Sequence, residues 1–456
     1  MRYIRPPRVT SGRLLPLSLA LTVLVFGYLS RWIFFYKFDP VYWENAYYES
    51  QWNIPNSPRG IGDDGLYRYI GYRLVNNKEN PFNVNYEVPP LGKYTYGLSA
   101  KYLGNPFFTT FLYYLGSIFL FFQISKHFFP SKLAWLATIL YACNPMIVNE
   151  IQNTMLDLPL TFFFLLFIYY FTRYLDNKTT KSLFLSAISL GLMAGVKSPF
   201  FIPMIATVSS VFIVKSGQIK KVPIFLSLIF VGYMISYFCY FIRHPNPIPW
   251  LRLHEKIYLF MKNNGSTHDW FSVLRFMLTN EYRGFWVNAK SYWPTNWSII
   301  YPLGLVSLIF GLFKYFRRKP IPEWLSFFVI VTTCYLVLNL TIDFWPRYLV
   351  PITPILVLII SYFLRKHRVL LVIIMLTYLP YLFMFFFPKP TEFKELFDRL
   401  YKSNYYKDTY QLLDSSTRNK LDVNTWQRLS AKTPLSSENF EIIKEQNQWR
   451  IHLLNK

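Results

Sequence analysis

With 53% hydrophobic and 20% aromatic side chains but only 16% charged ones, this 456-residue chain is too apolar for a soluble globular protein of its size. Its net charge of +24 does not point to nucleic acid, because the basic residues fall in short clusters between apolar stretches. The three cysteines, Cys143, Cys239 and Cys334, each sit inside an apolar run and give neither a disulfide framework nor a metal-ligand spacing.

A membrane-spanning helix needs roughly 20 apolar residues. About eleven stretches qualify, near 14–36, 107–125, 133–150, 157–174, 182–196, 199–214, 222–242, 298–316, 323–342, 347–364 and 369–387. The expected fold class is therefore an all-α polytopic membrane protein with about eleven transmembrane helices. Arg2, Arg5, Arg8 and Arg13 precede the first stretch, and no small-x-small cleavage site follows Leu14 to Phe35, so it reads as an uncleaved anchor.

Alternate connections carry the positive charge: the N-terminal arginines, Lys126 and Lys132, Arg173 to Lys181, Lys215 to Lys221, Lys314 to Lys319, and Arg365 to Arg368. With eleven spans all of these fall on one side, which the positive-inside rule makes cytoplasmic. The opposite side receives a long first loop (37–106), the 143–156 turn, Lys197, a second large loop (243–297), Asp343 to Arg347 and the tail. Residues 1–387 are thus the expected membrane domain, and 388–456 a small extracytoplasmic tail, helical or partly ordered.

The first loop has internal order. Asp39 to Trp52 is rich in aromatics and acids, which suits a surface helix at the lipid headgroups. After Gly60-Ile61-Gly62, Asp63 or Asp64 is a natural helix cap, and Leu66, Tyr67, Ile70 and Leu74 form an apolar stripe at helical spacing. Pro81-Phe82 and Pro89-Pro90 punctuate the return to the membrane. Trp250, Trp270, Trp286, Trp293 and Trp297 fit a membrane-interface belt in or beside the second loop.

Five motifs in order carry a resemblance. Asp63-Asp64-Gly65-Leu66-Tyr67 resembles the Asp-Glu-x-x-Tyr motif of polyprenyl-phosphate-dependent glycosyltransferases with the C-type membrane fold, a group that includes protein O-mannosyltransferases and lipid A aminoarabinose transferases. Val88-Pro89-Pro90-Leu91-Gly92-Lys93 is similar to their His-Pro-Pro-Leu-x-Lys element, and Asp157-Leu158-Pro159 to an Asp-Pro-x-Leu-x-Phe-Phe run. Gly191 to Lys197 echoes a Gly-x-x-x-Gly-x-Lys span end, and Arg347-Tyr348 before Pro351 a late Arg-Tyr-x-x-Pro element. The chain departs from the pattern at Asp64, where relatives have Glu, at Leu66, where aminoarabinose transferases have Arg, and at Val88, where relatives have His or Lys.

The resemblance implies an inverting, metal-independent sugar transfer, without a cofactor, from a polyprenyl-phosphate-linked donor to a hydroxyl acceptor, on the extracytoplasmic side of the plasma membrane among its lipids. Asp63 matches the catalytic acid position and is expected to take the proton of the attacking hydroxyl. Asp64 completes the acid pair, and Glu44 is a lesser carboxylate candidate. Lys93, Arg68, Lys197 and Arg347 are the cations expected at the departing phosphate, with Tyr67, Asp157 and Tyr348 nearby. The six histidines show no ligand spacing. Plainer readings exist for each: a helix cap for Asp63 and Asp64, headgroup anchors for Lys197 and Arg347. A lipid-glycan transporter or flippase, or a non-catalytic assembly subunit, would also explain the apolar stretches.

The charge pattern makes a topological prediction. Single cysteines replacing Ser57, Ser266 and Ser416 are expected to react with an impermeant thiol reagent from outside intact cells, and one at Lys319 is not. The reverse labelling pattern would overturn the arrangement.

Overall fold

The computed structural model describes residues 14–53, 61–197, 201–263, 269–283, 291–342, 344–386, 440–445 and 448–453. The chain divides into two compact units, Met1–Phe38 with Ile70–Leu382 and Asp39–Tyr69 with Phe383–Lys456.

The larger unit is a bundle of helices. In chain order these are α1 (Leu14–Leu29), α2 (Leu91–Leu103), α3 (Phe107–Phe128), α4 (Ser131–Ala142), α5 (Pro145–Glu150), α6 (Asp157–Asn177), α7 (Thr180–Val196), α8 (Phe201–Lys215), α9 (Val222–Ile235), α10 (Ile300–Phe316), α11 (Glu323–Asn339), α12 (Thr353–Phe363) and α13 (Arg368–Leu376). Each expected apolar stretch contains a helix. Among the described residues, two, α3 with 22 residues and α6 with 21, are long and apolar enough to cross a membrane, against about eleven expected.

Prolines shorten several of the rest. The stretch expected over 133–150 breaks at Asn144-Pro145, where the Asn144 side chain accepts from the Met146 amide at 3.1 Å and starts α5 afresh. The 347–364 stretch opens with a 3₁₀ turn over Pro346–Leu349, and α12 begins only at Thr353. The 369–387 stretch divides ahead of Pro380 into α13 and the helix Leu379–Phe386. Residues 243–297 hold the helices Ile248–Asn263 and Ser272–Thr279 and a two-residue strand pair, Tyr282 opposite Tyr292. Within them Trp250 is buried, Trp270 and Trp293 are exposed, and Trp297 donates to the Phe276 carbonyl at 2.9 Å. Trp286 lies outside the described residues.

Aromatic rings fill the centre, with Phe327 of α11 meeting Phe171 of α6 at 4.8 Å and Phe212 of α8 at 5.3 Å. Around this core α7 crosses α9 at backbone contact. A Cβ on Gly191 would strike the Ile229 carbonyl and the Gly232 backbone, and one on Gly232 would strike the Ile188 carbonyl. Without a hydrophobic drive between helices in lipid, such small-residue crossings are where helices pack tightest. They also fix the height at which α7 ends, and Lys197 is the residue that ends it. A second close crossing sets Gly71, at the end of the helix Asp63–Tyr72, on Gly97 of α2.

In the smaller unit Asp39 caps the helix Pro40–Tyr48, accepting from the Tyr42 amide at 3.0 Å. The helix that starts at Asp63 buries Leu66 and Tyr67, two residues of the apolar stripe. In the tail, the described residues form an antiparallel pair, Phe440–Glu445 with Gln448–Leu453, and not helix. Ile442, Ile443, Trp449 and Ile451 favour strand there, a local preference that the mixed charge of the tail conceals. Most of 388–456 lies outside the described residues.

The crossing at Gly191 is testable. Gly191→Ala should lower the thermal midpoint of the purified protein, at a cost of roughly 1–3 kcal/mol for overpacking against backbone. Gly27→Ala, whose Cβ would meet Phe111 at an ordinary 3.7 Å, should leave the midpoint near the parent value.

Candidate active site

Asp157 is the first residue of α6, where unpaired helix amides favour a negative charge. Its side chain is 2% exposed, and burying a carboxylate so fully demands partners. It has two. Lys197 Nζ donates to Oδ1 at 2.6 Å, and Arg347 Nε lies 3.6 Å from Oδ2. Lys197 stands in extended backbone at the end of α7, and Arg347 in the 3₁₀ turn between α11 and α12, so three distant segments meet on one carboxylate.

Neighbours fix this cluster. The Lys197 ammonium sits 4.7 Å from the centre of the Tyr348 ring, and Tyr348 is held by its carbonyl, which accepts from Tyr335 Oη at 2.8 Å. Arg347 Nη1 reaches Met155 Sδ at 3.5 Å, and the Met155 carbonyl accepts from the fully buried Tyr96 Oη at 2.5 Å. Two cations thus converge on one buried carboxylate. Both cations remain partly open, at 14% exposed for Lys197 and 20% for Arg347. An anion is what such an arrangement accepts.

Glu150, which the sequence reading passed over, belongs to the same region. It ends α5, in the connection between the apolar helices α4 and α6, and is 3% exposed. Its Oε2 is buried without a hydrogen-bond partner. Burial and the charge of Asp157 push its carboxyl above the usual range, while Arg347 and Lys197 pull the other way. Its place at the end of an apparently continuous apolar run hid it. The Asn144-Pro145 break was the available signal.

Lys93, expected beside the donor phosphate, is placed differently. It is fully buried in the first turn of α2, and its ammonium donates to Asn85 O (2.6 Å), Asn85 Oδ1 (3.1 Å) and Val88 O (2.7 Å). Three acceptors match the three donors of the charged form. Burial pulls the ammonium down to about 7 and Glu87 opposes it. Lys93 fastens the 85–88 turn to α2 and has no donor left for a phosphate.

The acid pair lies in the smaller unit. Gln51 pairs with both backbone groups of Ile61, donating to its carbonyl at 3.0 Å and accepting from its amide at 2.9 Å, which sets the entry to the helix that begins at Asp63. Asp63 and Asp64 are both half-buried in its first turn. Arg68 ion-pairs with Asp64 one turn on, also donates to the Asp64 carbonyl at 3.1 Å, and stacks over Trp43 at 4.7 Å. Arg68, expected as a phosphate ligand, is therefore engaged with Asp64. Tyr67 is buried, and Glu44 is on the exposed face of its helix. Among the described residues no group of three or more His, Cys, Asp or Glu could hold a metal ion.

Residues 87–241 match the family model described as dolichyl-phosphate-mannose-protein mannosyltransferase, a stretch that holds Lys93, Glu150, Asp157 and Lys197. The structure is similar to the crystal structure of ArnT from Cupriavidus metallidurans in the apo state, at 13% identity and a TM-score of 0.51. It is equally similar to the same protein bound to undecaprenyl phosphate, at 14% identity and a TM-score of 0.52. Both matches cover 76% of this chain and 60% of that one, so the chain spans about three fifths of the length of those structures. No curated protein matches the chain by sequence. The resemblance read from the motifs holds at the level of fold: the chain has the fold of a C-type membrane glycosyltransferase.

The role of Lys93 can be checked without any ligand. Lys93→Met strands buried acceptors, at about 1–3 kcal/mol each, and should lower the thermal midpoint sharply. A variant with the parent's midpoint and weakened anion binding would return Lys93 to the phosphate.

Proposed function

We propose that this chain is a membrane glycosyltransferase that moves a sugar from a polyprenyl-phosphate-linked donor to a hydroxyl acceptor at the extracytoplasmic face. The observation that carries this reading is the convergence of Lys197 and Arg347 on Asp157, assembled from three segments and left partly open. The family match over 87–241 and the likeness to a fold that in ArnT binds undecaprenyl phosphate support the same donor class.

In the reaction the acceptor oxygen attacks the anomeric carbon as the bond to the phosphate oxygen breaks, inverting the configuration. The bonding pair leaves with the phosphate. Lys197 and Arg347 stabilise the charge gathering there, in a site where fixed side-chain cations do the work of a Lewis acid. Asp63 takes the hydroxyl proton as general base. Asp64, paired with Arg68 and at the head of the same helix, orients the segment that carries Asp63. Tyr348 holds the Lys197 ammonium in place.

Two substitutions test the division of labour. Asp63→Asn keeps size and hydrogen bonding but removes basicity, so it should abolish turnover while donor binding persists. Arg347→Ala should weaken binding of undecaprenyl phosphate by roughly 1.5–3 kcal/mol, the scale of one charged hydrogen bond. Transfer at the parent rate by the Asp63 variant would remove it as the base and leave Glu44 as the next carboxylate to examine.

A further inference from the structure

Two irregular segments flank the Asp157 cluster, residues 151–156 ahead of α6 and the 3₁₀ turn Pro346–Leu349. Each holds a residue that touches one of the cations. Met155 Sδ lies 3.5 Å from Arg347 Nη1, and the centre of the Tyr348 ring lies 4.7 Å from the Lys197 ammonium. In both segments a proline takes away an amide that a helix would supply to the main chain. The Met155 carbonyl would accept from residue 159 in an α-helix, and Pro159 has no N–H. The Tyr348 carbonyl would accept from residue 351 in a 3₁₀ helix, where Pro351 stands, and the Ile352 amide goes to the Leu349 carbonyl at 3.2 Å.

A phenol from another helix meets each carbonyl. Tyr96 of α2, 0% exposed, donates from Oη to the Met155 carbonyl at 2.5 Å, and Tyr335 of α11, 2% exposed, to the Tyr348 carbonyl at 2.8 Å. The Tyr335 ring is stacked on Phe201 of α8 with centroids 4.4 Å apart, so its hydroxyl has a fixed aim. Thr110 of α3 reaches the first segment as well, donating to the Asn153 carbonyl at 3.2 Å. A buried hydroxyl that loses its acceptor is costly, so each phenol ties its segment to the helix it comes from. We propose that Tyr335 and Tyr96 are positioning residues for the transfer, Tyr335 setting Lys197 through Tyr348 and Tyr96 setting Arg347 through Met155. This rests on the reading of the cluster as the donor's phosphate site and adds the two hydroxyls that hold it in register. Pro159 and Pro351 belong to the same device, because each opens the carbonyl that a phenol grips.

The test is the affinity of the purified full-length protein for undecaprenyl phosphate. Tyr335→Phe and Tyr96→Phe keep the buried ring and remove only the hydroxyl. Each should raise the apparent Kd about three- to tenfold, the scale of one hydrogen bond. The phosphorus resonance of the bound undecaprenyl phosphate should move in both, since displaced cations change the field at the phosphate. A double-mutant cycle separates positioning from a general loss of stability. In a Tyr348→Leu background Tyr335→Phe should weaken binding no further, while Tyr96→Phe keeps its full effect. In a Met155→Leu background the pattern should reverse. Parent affinity in either phenylalanine variant would overturn that residue's role. Additive losses in the matched pairs would overturn the positioning and leave the phosphate site standing, provided Arg347→Ala still weakens binding. Parent affinity in Arg347→Ala would overturn the phosphate site itself and the positioning with it.

Discussion

One buried carboxylate organises the larger unit. Asp157 is 2% exposed and meets two cations, and neither comes from its own helix. Desolvating an ion costs several kcal/mol, which a single imperfect pair would not offset. The helix amides at the start of α6 add to the balance. The consequence is geometric. The start of α6, the end of α7 and the turn before α12 must lie at one level of the bundle, because all three supply one ion cluster.

That level is set sterically as well as electrostatically. α7 cannot slide along α9, because Gly191 and Gly232 place backbone against backbone and any shift brings side chains into the crossing. Gly195 meets the Ser236 side chain one turn later, two residues before Lys197. The Gly-x-x-x-Gly-x-Lys spacing thus joins a packing device to a charged group at a fixed height. Proline breaks serve a related purpose. Asn144-Pro145 ends α4 early and turns α5 so that Glu150 closes the connection leading to Asp157, and Pro346 opens the turn that carries Arg347.

The parts of this arrangement that are local in sequence were legible there. The helix within Asp39 to Trp52, the stripe of Leu66, Tyr67, Ile70 and Leu74, and the break at Pro89-Pro90 all follow from spacing and residue type, and all are present. The order of the five motifs indicated the fold. Other features depend on contacts that spacing does not encode. Lys93 looks like a surface cation until the carbonyls of Asn85 and Val88 fold around it. Glu150 looks like the tail of a span until the chain breaks behind it. Helix ends were overrun wherever a proline sat within an apolar run, since hydropathy averages across the break.

The pairing pattern also separates residues that look interchangeable in the motifs. Of the two adjacent acids, Asp64 is bound to Arg68, whose guanidinium sits 4.7 Å from the centre of the Trp43 ring, so its carboxylate is tied into a local network. Asp63 opens the same helix and is half-buried. The cations divide by the same logic. Lys93 and Arg68 spend their donors on oxygens of the chain, and Lys197 and Arg347 share a single carboxylate between them. In the larger unit the cluster on Asp157 brings Lys197 and Arg347 together from separate segments and leaves both partly open to solvent.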